Sequence, residues 1–135
     1  MLTENVNFGR YGKAFQEGLV QLVFEDRSFA DQITEVLDVQ FLELEYLRVF
    51  TTKVIDYRDK YNTHPSVEAM ITILRTELDS EDEVIQNQVR EYFARTHTHE
   101  LTDVQYIKDV SLEFCRKQNL KEAMMQSVGL LQNCS

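Results

Sequence analysis

The last third of the chain constrains the fold most. From Thr102 to Gln132 the sequence reads as a single helix, with no proline and one glycine, Gly129, inside it. Thirty helical residues extend about 45 Å, longer than a small bundle needs. The helix has two characters. Val104, Ile107, Val110 and Phe114 form a face suited to docking on a bundle. After the polar step Arg116-Lys-Gln-Asn119 a new stripe begins, Leu120, Met124, Val128 and Leu131. Its spacing of four, four and three is close to a heptad seam. Cover for that stripe is expected from another chain, from earlier residues of this one, or from sequence beyond Ser135.

The rest of the chain favours helices too. Four glycines and one proline in 135 residues leave few turns, and valine and isoleucine do not alternate with polar residues as in strands. With 43% apolar residues the chain is long enough for one domain with a real core. The expected fold is all-α: a compact bundle of about five to six helices with a long C-terminal helix whose second half projects. No run reaches the roughly 18 apolar residues of a membrane span, and the first ten residues lack the apolar centre of a signal peptide. A cytoplasmic, membrane-free protein is expected. Cys115 and Cys134 fit that compartment as free thiols, since 19 helical residues would hold them about 28 Å apart.

Helix boundaries follow from periodicity and caps. Phe15, Leu19, Leu22 and Val23 predict a helix from about Tyr11 to Phe24. Ser28 with Asp31 predicts the next start, with Ala30, Ile33, Val36 and Leu37 on its apolar face. Leu47, Phe50, Val54 and Tyr57 mark a third helix that ends near Tyr61, before His64-Pro65-Ser66. Ser66 is a cap for a fourth helix burying Met70, Ile71, Leu74 and Leu78. Ser80 with Glu83, and Thr102 with Gln105, read as capping boxes for the fifth and sixth.

Charge and motifs exclude more than they assign. The net charge of −9 divides into −4 over residues 1–76, −5 over 77–100 and zero over 101–135. An acidic surface repels phosphate backbones, so DNA is expected to be held weakly if at all. No phosphate-binding loop is encoded: Gly9-x-x-Gly12-Lys13 is followed by Ala14, not by Ser or Thr. His97-Thr-His99-Glu100 is the one cluster resembling metal ligands, and a solvated helix end explains it more simply. The carboxylates of Asp79-Ser-Glu-Asp-Glu83 sit at a helix start, where the dipole favours them. No catalytic, cofactor-binding or metal site is expected in this segment. Arg116, Lys117 and Lys121 are the basic cluster, either pairing with Glu113 and Glu122 or contacting an acidic partner. Leu120, Met124, Val128 and Leu131 are the expected self-association residues, with Met124 and Met125 supplying surface that repacks readily.

Two stretches carry a family resemblance. One is Phe41…Tyr46-Leu-Arg-Val-Phe50…Tyr61-Asn-Thr-His-Pro-Ser-Val-Glu-Ala-Met-Ile71, an aromatic helix, a proline loop and a helix opening with small and apolar residues. The other is Phe114-Cys-Arg-Lys-Gln-Asn-Leu-Lys-Glu-Ala-Met-Met125 in the long last helix. Together, over about Phe15 to Leu131, the chain resembles the N-terminal domain of DnaB-type replicative DNA helicases, the phage members most. The first helix departs from the bacterial pattern, Glu-Ala-Glu followed by Leu-Gly, and reads Phe15-Gln-Glu-Gly-Leu-Val20 instead. The resemblance implies a non-catalytic collar domain of a hexameric helicase, mediating subunit association and docking a primase or loader. ATP and magnesium would belong to a motor domain outside this segment. It also implies that residues 1–10 are a tail, 11–114 the bundle and 115–135 the first arm of an incomplete helical hairpin, through which two subunits pair. The alternative is a stand-alone helical adaptor for another protein's helix. A metal enzyme in a helical bundle would need Glu-x-x-His pairs, and none occurs.

Overall fold

The computed structural model describes residues 6–133, with side chains as far as Gly129. It is all-helical. A 3-10 turn, Phe8–Tyr11, leads into α1 (Lys13–Glu25), α2 (Arg27–Ile33), a second 3-10 turn (Val39–Phe41), α3 (Glu45–Tyr61), α4 (Val67–Thr76), α5 (Glu83–Thr96) and α6 (Val104–Asn133). Helix α1 is the centre, packing on α2, α3 and α6, while α5 closes against α3. Every residue from Leu19 to Phe24 is buried, including Gln21, as a helix enclosed on all sides requires.

Two aromatic clusters fix the layers. Phe24, Phe50, Tyr92 and Phe93 join α1, α3 and α5, with centroids 5.5 Å apart for Phe24–Phe93 and for Phe50–Tyr92. Phe8, Phe15, Phe41 and Phe114 clamp the N-terminal turn onto α6, and the Phe8 and Phe114 rings lie 4.3 Å apart. Phe8 is fully buried, so the expected 1–10 tail gives way to a core element from Phe8 onward. Asn7 caps its turn by accepting from the Gly9 N–H, and Gly12 ends it at φ 90°, a conformation suited to glycine.

Three expected helix starts move, each toward an aspartate. Helix α2 is capped by Asp26, which accepts from the Phe29 N–H at 3.0 Å, rather than by Ser28. Helix α5 is capped by Asp82 through the Val84 N–H rather than by Ser80. A carboxylate satisfies a free amide as a serine hydroxyl does, and its charge also opposes the positive end of the helix dipole. In α6 the Thr102 box is absent: Asp103 takes φ 55°, the helix begins at Val104, and the Gln105 amide donates forward to Asp109. The Ser66 cap is as expected, accepting from the Ala69 N–H at 3.0 Å. Ile71, expected in the core, is exposed. Met70, Ile73, Leu74 and Leu78 bury one row of α4 and its exit, while Val67, Ile71 and Arg75, four apart, lie on a separate solvent-facing row.

Candidate functional site

Helix α6 changes surroundings along its length. Ile107, Ser111, Leu112 and Cys115 are buried, with Val104, Val110 and Phe114 half-buried beside them. The docking face is thus centred on Ile107-Ser111-Cys115, one side of the row expected. Small residues at 111 and 115 let α6 approach closely, and Gly18 on α1 does the same from the other side. A Cβ there would meet the Ile107 Cδ1 at 3.0 Å. Burial also pushes the Cys115 thiol up to about 12, with Asp38 adding to the shift, so it stays protonated and inert.

Polar ties hold this half in place. Lys108 Nζ lies 2.6 Å from Asp26 Oδ2, tying α6 to the α1–α2 joint. Asn119 Nδ2 donates to the Val36 carbonyl at 3.0 Å. Among the described residues Asn119 makes the last such tie, so the contact with the bundle extends past the expected boundary at 114. Beyond it Leu120, Met124, Met125 and Val128 are 62%, 60%, 63% and 54% exposed, and no part of the described bundle covers them. Fourteen residues from Asn119 to Asn133 carry the helix about 20 Å past its last tether. The side chain of Leu131 lies outside the described residues, as does Cys134.

The three basic candidates are exposed, as expected for either reading of them. Lys117 pairs with Glu113 one turn earlier at 3.7 Å. Arg116, Lys117 and Leu120 come together along a shallow groove of about 360 Å³, which Lys121 does not line.

Elsewhere polar groups tie the helices to one another. Buried Gln16 accepts from the Glu43 N–H at 2.8 Å, and buried Gln21 donates to the His99 carbonyl at 3.0 Å. Glu17 accepts from the Tyr46 hydroxyl and from Arg95 Nη2 at 2.7 Å, and its carbonyl accepts from the Tyr92 hydroxyl at 2.6 Å. Burial raises both tyrosine hydroxyls well above their ordinary range, and the Glu17 charge adds to it. Glu17, Gln21, Tyr92 and Arg95 line part of a cleft of about 320 Å³, and each of the four is hydrogen-bonded to another residue. His97 bonds back to the Phe93 carbonyl, and His99 is exposed beyond the helix end. Among the described residues, no three His, Cys, Asp or Glu side chains converge as metal ligands, and no helix is long and apolar enough to cross a membrane.

The buried glutamines escaped sequence reasoning because their partners lie up to 78 residues away. The available signal was the apolar run Leu19-Val-Gln-Leu-Val-Phe24, in which a glutamine must be buried with its neighbours. No protein-family model, no curated protein and no solved structure matches the chain.

Proposed function

We propose that this chain is the N-terminal collar domain of a hexameric DnaB-type replicative helicase, a scaffold without chemistry of its own. The observation that carries the reading is the departure of α6 from the bundle, with its apolar side exposed beyond Asn119. The motifs behind the resemblance support it: the aromatic α3, the loop capped at Ser66 and the long last helix. In this reading Leu120, Met124, Val128 and Leu131 form the first arm of a hairpin that pairs with a second copy. Arg116, Lys117 and Lys121 rim that contact. The bundle offers a surface to a primase or loader in the cytoplasm, and ATP and magnesium act in a separate motor domain. The mechanism is geometric, since collar pairing sets how the motors are arranged.

The energetics favour a pairing that one charge would break. Leu120, Met124 and Val128 are more than half exposed. Burying the remainder gains about 1 kcal/mol apiece, roughly 6 kcal/mol for two copies. Association itself costs about 4–15 kcal/mol, which matches or exceeds that gain, so pairing through these three positions has no energy to spare. Met124→Lys is expected to weaken self-association by at least about tenfold. Far-UV circular dichroism and the urea midpoint should not move, because the side chain is exposed. Sedimentation velocity on parent and variant decides it. Equal oligomer size in the two, including two monomers, removes self-pairing and leaves the adaptor reading in the lead.

A further inference from the structure

The row Val67, Ile71, Arg75 runs along the outside of α4, and it leads into a cleft of about 350 Å³ between α4 and α5. Ile71, Leu74 and Phe93 form its apolar floor, and Arg75 and Arg90 flank it. Arg90 is held in place by its Nε, which donates to the Leu74 carbonyl at 3.0 Å. Among the described residues its terminal nitrogens take no other partner, and neither arginine lies in an ion pair. Two guanidinium groups thus face solvent over an aliphatic and aromatic floor.

The surroundings select the occupant. Residues 77–100 hold seven acidic residues against two basic, Arg90 and Arg95, and Arg95 is bound to Glu17. The pair Arg75 and Arg90 is therefore a positive spot in an acidic field. A nucleic-acid backbone would carry its charges past the two arginines into that acidic field, whereas a short segment can confine its few carboxylates to them. The apolar floor rewards a side chain rather than a phosphate. The neighbouring cleft between α3 and α4 makes no such selection, because Lys53 and Lys60 there are matched by Asp56 and Glu77. We infer that the α4–α5 cleft docks an acidic amphipathic segment of a partner protein, seating a bulky apolar side chain between Arg75 and Arg90 while its carboxylates meet the guanidinium groups. The inference stands apart from the helicase reading and from the α6 stripe.

The test uses the full chain and three fluorescein-labelled amphipathic peptides: glutamate with leucine, lysine with leucine, and glutamate with alanine. Fluorescence anisotropy is expected to show binding of the glutamate–leucine peptide alone, weakening as salt rises. Methyl NMR should place its shifts on Ile71 and Leu74. Ile71→Asp and Arg75→Glu change exposed side chains, and each should weaken binding about tenfold or more. Arg90 is left intact because it also satisfies a helix-end carbonyl. Met124→Lys should leave binding unchanged. Binding that survives both cleft variants, disappears with Met124→Lys, or is matched by the lysine–leucine peptide would overturn the proposal. So would a change in the protein's own oligomer size with Arg75→Glu, which would make the occupant a second copy.

Discussion

His64, in the loop before the only proline, joins three helices. Its Nε2 lies 2.6 Å from the Phe24 carbonyl at the end of α1, and its Nδ1 lies 2.7 Å from Arg58 Nη1 on α3. Arg58 in turn pairs with Asp31 on α2. A guanidinium only donates, so Nδ1 must accept and Nε2 must carry the proton given to Phe24. His64→Ala removes both bonds and leaves a helix-end carbonyl and a charged donor short of a partner. At about 1 kcal/mol for the neutral bond and about 1.5 kcal/mol for the charge-assisted one, the loss is about 2.5 kcal/mol. With a urea m-value of about 2 kcal/mol/M, the midpoint should fall by about 1 M. A double-mutant cycle with Arg58→Ala should give a coupling of about 1 kcal/mol or more. The cycle is needed because Arg58→Ala also breaks the Asp31 pair. A midpoint within about 0.2 M of the parent would mean that water replaces both bonds at no cost, and the loop would not be a structural joint.

Two further substitutions probe the bundle by the same urea assay. Thr51 is fully buried on α3, and its Oγ1 is without a partner among the described residues. Thr51→Val keeps the shape, removes the orphan hydroxyl and should stabilise the protein by about 1 kcal/mol; destabilisation would show that the hydroxyl is bonded to a water. Asp26 is held below its ordinary 3.8 by the Lys108 ammonium first and the Phe29 N–H second. Its contribution is therefore complete above pH 3.8 and is lost as pH falls through the lower folded value. The urea midpoint of the parent should drop across that acid window, and the drop should be shallower in Asp26→Asn. An unchanged acid limb in the variant would remove Asp26 from the account.

What was legible in the sequence follows from the range of each force. Periodicity is local, so all six helices were readable, and so was the Ser66 cap, which acts over three residues. The misplaced starts of α2 and α5 were local too: an aspartate two residues from the expected serine, Asp26 or Asp82, caps the helix instead. Ile71 was misassigned because α4 carries two apolar rows about 100° apart, and only the tertiary fold decides which is covered. Gln16 and Phe8 were invisible for another reason. Their burial depends on groups brought near by the whole fold, and a glutamine or a lone phenylalanine has no spacing that reports it. The exposed stripe on α6 was legible because a second apolar row after a polar step needs no tertiary information.

That stripe stays uncovered for reasons built into the helix. Folding it back onto the bundle would require a break near Arg116-Lys-Gln-Asn119. Those residues, and Leu120-Lys-Glu-Ala-Met-Met-Gln126 after them, are mostly strong helix formers. The bundle side is pinned up to Asn119 by Phe114, by the close approach at Gly18 and by the bond to Val36. A break immediately after that point would cost the helix several hydrogen bonds at about 1 kcal/mol each. Burying three half-exposed side chains would return about 3 kcal/mol at most. Helix continuity therefore wins over self-burial, which leaves α6 straight and Leu120, Met124 and Val128 exposed.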